Sequence, residues 1–156
     1  MKLKQIKKSI LIWGTVSQEG INQLKNEKEL VIVPELRPYL IGLLHNVPLL
    51  KREGLSFVYC TDNMLGYLFY KDKIKKTIIF YKELTPQGIV GVCGSLYVGL
   101  LSHLHKVPIK ILPEGKITYN FKDFSAKTLL GKNFVLEKDN FFVEPKEELV
   151  SYSVLR

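Results

Sequence analysis

Five short apolar runs punctuate the chain: Ser9-Ile-Leu-Ile-Trp13, Leu30-Val-Ile-Val33, Ser56-Phe-Val-Tyr-Cys60, Lys76-Thr-Ile-Ile-Phe-Tyr81 and Ile109-Lys-Ile-Leu112. Each has strand length and is rich in β-branched and aromatic residues. Apolar positions follow one another instead of alternating with polar ones, the pattern of strands covered on both faces, as in a parallel sheet. Helix-length segments lie between them. Ser17 to Lys28 carries Ile21 and Leu24 on one side. Tyr39 to Glu53 carries Leu40, Leu43, Leu44, Val47 and Leu50, with Pro48 expected to break or kink it. Asp62 to Tyr70 opens on the capping residues Asp62 and Asn63. Gly94 to His105 is apolar on nearly every face. This alternation predicts an α/β fold: an open, mostly parallel, doubly wound sheet with right-handed crossovers.

The tail changes style. Lys132 to Glu137 and Asn140 to Val143 predict a C-terminal two-strand extension around the turn Lys138-Asp139. Pro145-Lys-Glu-Glu-Leu149 predicts a last helical turn with Pro at its first position. Pro113 to Gly131 reads as a long connector, a length that often carries contacts or function. No repeat, linker or low-complexity tract interrupts the pattern, so residues 1–156 are expected to form a single domain.

Composition narrows the class. Apolar residues make up 46% and charged residues 24%, a globular mixture that folds at this length without metal or disulfides. No apolar run reaches the roughly 18 residues of a membrane span. Lys2 to Lys8 precede an apolar stretch too short for a signal peptide, and Cys60 and Cys93 stand alone, so a reducing cytoplasm is expected. Those cysteines and His45, His103 and His105 lack metal-ligand spacing, so neither a metal nor a cofactor is expected. The formal charge is +8, yet only Arg37, Arg52 and Arg156 are arginines and the lysines are spread out. Diffuse lysine reads as a solvated surface more than a nucleic-acid reader, which relies on Arg forks and aromatic platforms. Anionic small molecules, phosphorylated ones included, stay open as ligands.

Ligands of such sheets sit at the carboxyl ends of the strands. The segments there are Trp13 to Ser17, Pro34 to Pro38, Thr61 to Met64, Lys82 to Gly88 and Pro113 to Gly115. Neither GxGxxG nor GxxxxGK[ST] is present, which removes the sequence warrant for dinucleotide and P-loop binding. Gly14-Thr-Val-Ser17 either offers free amides to an anion or caps a helix through Thr15 or Ser17. Arg37 either grips a phosphate with its fork or pairs with Glu35 or Asp62. Asp62 and Asn63 are either polar groups of a site or a helix cap, and Lys82 is either an anion-binding group or a surface lysine. Gly94 is expected to allow close helix–sheet packing.

Four segments, in order, resemble a known family. Pro34-Glu-Leu-Arg-Pro-Tyr-Leu-Ile-Gly42 resembles an E-x-R-P-x-x-x-G motif, and Gly54-Leu-Ser-Phe-Val-Tyr-Cys-Thr-Asp-Asn-Met-Leu-Gly66 resembles G-I-P-V-x-x-I-T-D-x-x-x-G. Gly94-Ser95 through Lys106-Val-Pro-Ile109 resembles I-G-T…H-x-I-P-F, and Phe141-Phe-Val-Glu-Pro-Lys-Glu-Glu-Leu149 resembles F-D-x-T-P-x-E-L. The family is that of the translation initiation factor 2B regulatory subunits, methylthioribose-1-phosphate isomerase and ribose-1,5-bisphosphate isomerase. The resemblance implies its Rossmann-like C-terminal domain, with no counterpart of the helical N-terminal domain expected.

The departures bear on function. The resemblance places the isomerases' catalytic Cys at Gly14, their catalytic Asp at Lys82, their substrate-binding Gln at Ile41, and an Asn-Lys pair at Gly91 and Val92. Arg37 and the Thr61-Asp62 segment remain. Aldose–ketose isomerisation needs one group to move a proton or hydride equivalent and another to polarise oxygens. The expectation is therefore a non-catalytic domain acting by binding or assembly, with a phosphorylated metabolite open as its ligand. The helix Gly94 to His105 and the aromatic residues Tyr67, Phe69 and Tyr70 suggest a homodimer, and the resemblance adds a related subunit as a partner. The alternatives are a sugar-phosphate isomerase-like enzyme with a rebuilt site, and an RNA- or ribosome-associated module resting on charge alone.

Overall fold

A computed structural model describes residues 6–117, 128–129, 132–133 and 146–156. The elements run β1 (Ser9–Trp13), α1 (Gln18–Glu27), β2 (Val31–Pro34), a π-helical turn (Gly42–Asn46) continuing into α2 (Val47–Arg52), and β3 (Phe57–Cys60). A 3₁₀ turn (Asp62–Met64) leads into α3 (Leu65–Tyr70), then β4 (Ile74–Leu84), β5 (Gly88–Gly91), α4 (Ser95–Leu104) and β6 (Ile109–Pro113). The short pair β7 (Thr128–Leu129) and β8 (Lys132–Asn133) precedes β9 (Glu148–Ser151) and α5 (Tyr152–Leu155).

All five apolar runs are strands, and they form the parallel part of a seven-stranded sheet ordered β3-β2-β1-β4, with β6 also on β4. Alternate residues of β1 enter opposite cores. Leu11 and Trp13 pack with Leu65, Leu68, Phe69 and Val98 beneath α3 and α4. Ile10 and Ile12 pack with Ile21, Leu24, Leu50 and Phe80 beneath α1 and α2. Burial on both faces explains why the strands read as continuous apolar runs.

β4 is longer than its apolar run. Thr77 to Tyr81 pair with β6, and Tyr81 to Leu84 pair in the opposite sense with β5. Thr85 closes the hairpin by accepting the Gln87 and Gly88 amides on its hydroxyl. β5, Gly-bounded and short, was not expected as a strand. The predicted helical turn beginning at Pro145 is also corrected: Glu148 to Ser151 form a strand antiparallel to β5, and the helical turn comes later, capped by Ser151. Fully buried Val150 anchors that strand, and a Cβ on Gly88 would lie 2.0 Å from its carbonyl oxygen. Tertiary pairing outweighed the local Pro signal.

Pro48 does not break its segment. The π-helical turn comes first and Pro48 falls in the first turn of α2, where no intrahelical donor is required of it. β7 lies in the expected connector and pairs with β8, which opens the strand expected from Lys132. The expected strands over 132–137 and 140–143 lie outside the described residues except for Lys132–Asn133. No helix among the described residues is long and apolar enough to cross a membrane.

Candidate functional site

The loops after β1, β2, β4 and β6 meet where the strand order reverses at β1, the switch point at which such sheets bind ligands. A crevice of about 220 Å³ opens there. Thr15 comes from the loop after β1; Leu36, Arg37, Tyr39 and Ile41 come from the segment after β2. Lys82 of β4, Val92 and Cys93 after β5, and Glu114 and Ile117 after β6 form the other walls, with Lys146 and Glu147 at the rim.

The loop after β1 is held by a buried side chain that the sequence did not flag. Asn46 accepts the Val16 amide on Oδ1 (3.0 Å) and donates Nδ2 to the Gly14 carbonyl (2.9 Å). His45 Nε2 lies 3.0 Å from the Val16 carbonyl. The π-helical turn brings these adjacent residues to the same loop. One of the amides that Gly14 to Ser17 could offer an anion is thereby taken. Asn46 holds the Val16 amide, and Ser17 caps α1 by accepting the Gly20 amide. Thr15 is fully buried, and its hydroxyl has no hydrogen-bond partner among the described residues.

Asp62 does not cap its own helix. Its carboxylate crosses to the β2 loop and accepts the amides of Leu36 and Arg37, both at 2.8 Å. Leu36 (φ 52°) and Leu40 (φ 53°) sit in the left-handed region, so this loop stores strain that Asp62 offsets. The Arg37 Nε lies 3.1 Å from Glu35 Oε1, close enough for an ion pair, yet outside hydrogen-bond alignment. Arg37 thus keeps its Glu35 neighbour while its guanidinium borders the crevice. Asn63 accepts a hydrogen bond from the Thr61 hydroxyl (2.6 Å), and neither it nor Asp62 lines the crevice. Lys82 does line it, paired with Glu147 at the rim.

Burial raises the Asp62 carboxyl above the usual range; the two amides and Arg37 oppose that, and Glu35 adds to it. A carboxyl whose folded pKa is raised holds its proton longer in the folded state, so it contributes stability at low pH that is lost as pH rises through the raised pKa. Urea midpoints of wild type relative to Asp62→Asn are expected to fall as pH climbs from the ordinary aspartate range upward. A flat difference across that window would remove Asp62 as the source.

Two thiols lie nearby. Burial pushes Cys60 up to about 12, and Cys93, which lines the crevice, is also raised by burial and by Glu148. Both shifts run against the thiolate that an activated nucleophile needs. Burial likewise raises the Glu114 carboxyl, with Lys82 opposing. Glu114, Ile117 and Glu147 were not picked out from sequence, and Cys93 was noted there only as an isolated cysteine. Glu114 was visible only as part of the strand-end segment Pro113 to Gly115. No cluster of His, Cys, Asp and Glu able to hold a metal occurs among the described residues.

Gly14 decides what the loop after β1 can carry. Its φ is 97°, and a Cβ there would lie 2.7 Å from the Phe80 carbonyl oxygen and 3.0 Å from the Phe80 Cβ. A side chain at this position meets β4 backbone, which has no room to yield.

A crevice at the switch point of a doubly wound sheet, walled in part by Leu36 and Arg37, whose amides Asp62 holds from outside it, is the setting in which family membership becomes clear. The chain belongs to the Initiation factor 2 subunit family, whose model matches residues 14–127. It is 30% identical over 97 residues to methylthioribose-1-phosphate isomerase 1 of Pseudothermotoga lettingae, covering 61% of this chain and 28% of that protein. It is 24% identical over 109 residues to methylthioribose-1-phosphate isomerase of Desulforudis audaxviator, covering 69% of this chain and 30% of that protein. Its fold matches translation initiation factor eIF-2B, subunit delta, from A. fulgidus (TM-score 0.76, 14% identity, 96% of this chain and 51% of that one). It matches 5-methylthioribose 1-phosphate isomerase from Pyrococcus horikoshii equally well (TM-score 0.75, 13% identity, 97% of this chain and 49% of that one). The chain therefore spans about half the length of these solved relatives and under a third of the curated ones.

Proposed function

We propose that this is a non-catalytic domain of the family, folding as a single unit over residues 1–156 and acting by binding and assembly. One observation carries the reading: the position that the resemblance aligns with a catalytic Cys is a glycine whose Cβ would strike the Phe80 carbonyl. The aligned Asp is Lys82, engaged with Glu147. Ile41 and Val92 present apolar walls where a sugar needs hydrogen-bond partners. The crevice thus keeps the shape of a ligand site without an acid–base pair suited to moving a proton between sugar carbons. The test is an isomerase assay with methylthioribose 1-phosphate and ribose 1,5-bisphosphate. No turnover above background is expected; turnover that disappears in Lys82→Ala would establish the rebuilt-enzyme alternative.

The assembly half of the reading rests on α3 and α4. Tyr67 and Tyr70 on α3, with Tyr97, Leu100 and Leu104 on α4, are all 43–74% exposed. The Tyr97 hydroxyl lies 3.5 Å from a Cβ position at Gly66, which joins the two helices into one face. α4 contains no Asp, Glu, Lys or Arg, so a second copy of this surface brings no like charges against it. These side chains, with Met64 and Leu96 beside them, leave roughly 600–700 Å² uncovered, near the ~800 Å² each partner of a standard interface buries. Light scattering at micromolar concentration is expected to give a dimer, and Leu100→Asp a folded monomer. A monomeric wild type would end the assembly reading. Charge supports protein or small-molecule partners over RNA, since Lys8, Lys25, Lys75 and Lys76 are each paired with a carboxylate. Both cysteines are free, which suits a reducing cytoplasm.

A further inference from the structure

We infer that two copies of this chain pair with their α4 helices antiparallel, the Glu148 carboxylate of each docking in a basic hollow at the far end of the other's α4. This deepens the assembly reading above and rests on it.

The exposed side of α4 is a single stripe. Leu96, Leu100 and Leu104 follow one another four residues apart and are 37%, 49% and 74% exposed, with Leu100 in the middle. The helix holds no Asp, Glu, Lys or Arg, so its own side chains would let a second copy lie on it in either direction. The charge stands at its two ends.

At the N-terminal end, Glu148 accepts the Leu96 amide on Oε2 (2.9 Å), and its other polar neighbour is the Cys93 thiol. No Lys or Arg pairs with it among the described residues. At the C-terminal end, a hollow of about 450 Å³ is lined by His103, Lys106 and Arg156, with Val107, Pro108 and Ile109. None of its lining side chains is acidic, and neither Lys106 nor Arg156 has an ion-pair partner among the described residues. Basic residues at a helix C-terminus complement its free carbonyls, which accounts for His103 and Lys106 singly. It accounts neither for Arg156 beside them nor for the missing acid.

Both features lie on one flank of the helix. β9 packs on α4 at Gly99, where a Cβ would lie 3.2 Å from Val150 Cγ1, and Glu148 reaches Leu96 from β9. Ser102, three residues beyond Gly99, shares that flank and lines the hollow. Ten helical residues set the two ends about 15 Å apart. A two-fold axis in the interface, perpendicular to α4 and passing near Leu100, reverses the helix and keeps the flank. It sets Glu148 of each copy against the hollow of the other, two junctions per dimer, with Leu100 against its own symmetry mate. An axis parallel to α4 would put basic end beside basic end and carboxylate beside carboxylate. Charge complementarity selects the first arrangement.

The test is sedimentation velocity of the full chain carrying Lys106→Glu or Glu148→Lys, alone and mixed in equal amounts. Each variant alone sets like charges together at both junctions and is expected to dimerise at least about tenfold more weakly than wild type. In the mixed pair each junction again holds one acid and one lysine, so the mixture is expected to return to a dimer near the wild-type concentration. Glu148→Lys also removes the acceptor of the Leu96 amide. Glu148→Gln keeps that acceptor without the charge and is expected to weaken pairing about threefold and to lose most of its salt dependence. Wild-type pairing in Lys106→Glu, a mixture of two folded variants that stays monomeric, or wild-type pairing with undiminished salt dependence in Glu148→Gln would each overturn the antiparallel arrangement. A dimer that Leu100→Asp breaks and the charge variants leave intact would retain the assembly reading alone; a monomeric wild type would end both.

Discussion

Asn46→Leu is expected to destabilise the protein by about 3 kcal/mol, which for a chain of this size lowers the melting temperature by roughly 6–12 °C. The side chain is fully buried and serves two backbone groups thirty residues away, the Val16 amide and the Gly14 carbonyl. Leucine matches its size, so no large cavity opens, but both backbone groups lose their partner in a place water does not reach. Each orphan costs about 1–3 kcal/mol. Asn46→Asp separates the two contributions. It keeps an acceptor for the Val16 amide and sets a carboxylate oxygen against the Gly14 carbonyl, so it is expected to be no better than leucine at neutral pH. Chemical denaturation of both variants checks this. A loss under about 1 kcal/mol for leucine would mean that the loop repacks without the bridge.

Gly14→Cys, the substitution that restores the thiol suggested by the family resemblance, is expected to lose about 3 kcal/mol and to gain no isomerase activity, alone or with Lys82→Asp. The backbone at φ 97° disfavours any side chain, and the new Cβ would be 2.7 Å from the Phe80 carbonyl oxygen. Strain of the first kind costs about 1–3 kcal/mol, and overpacking a similar amount. Relief requires β1 and β4 to move apart, and these strands are paired from Ser9↔Ile74 to Trp13↔Ile79. The position that the resemblance aligns with the thiol is therefore closed to a side chain by the backbone, not merely by the residue that occupies it. A stable double variant that turns over methylthioribose 1-phosphate would contradict this.

The sheet was legible because its physics is local and strong. A strand such as Ile10-Leu-Ile12 buried on both faces has to be apolar at every position, and no other element of that length does. β5 and β9 escaped for the opposite reason: Gly88 to Gly91 carry two glycines in four residues, and Glu148 to Ser151 become a strand only because β5 is already there to pair with. The candidate site was legible in part. Arg37, Lys82 and Thr15 were named from strand ends and do share one crevice. Asp62 was read as a group of the site, a helix cap or a partner of Arg37; it does meet Arg37, but at the backbone amide and together with the Leu36 amide, which spacing alone does not show. Asn46 sits in the middle of an apolar helical segment, where an amide reads as a solvent-facing residue until a π-helical turn rotates it inward.

The reach of Asp62 has a mechanical consequence. One side of the turn Asp62–Met64 holds the backbone from which Arg37 projects; the other side leads into α3, whose exposed tyrosines lie on the surface proposed for self-association. A displacement of α3 on pairing would be transmitted through one carboxylate to the guanidinium. Thermodynamic reciprocity then requires the converse: an occupant that fixes Arg37 shifts the monomer–dimer balance by the same factor that pairing shifts its affinity.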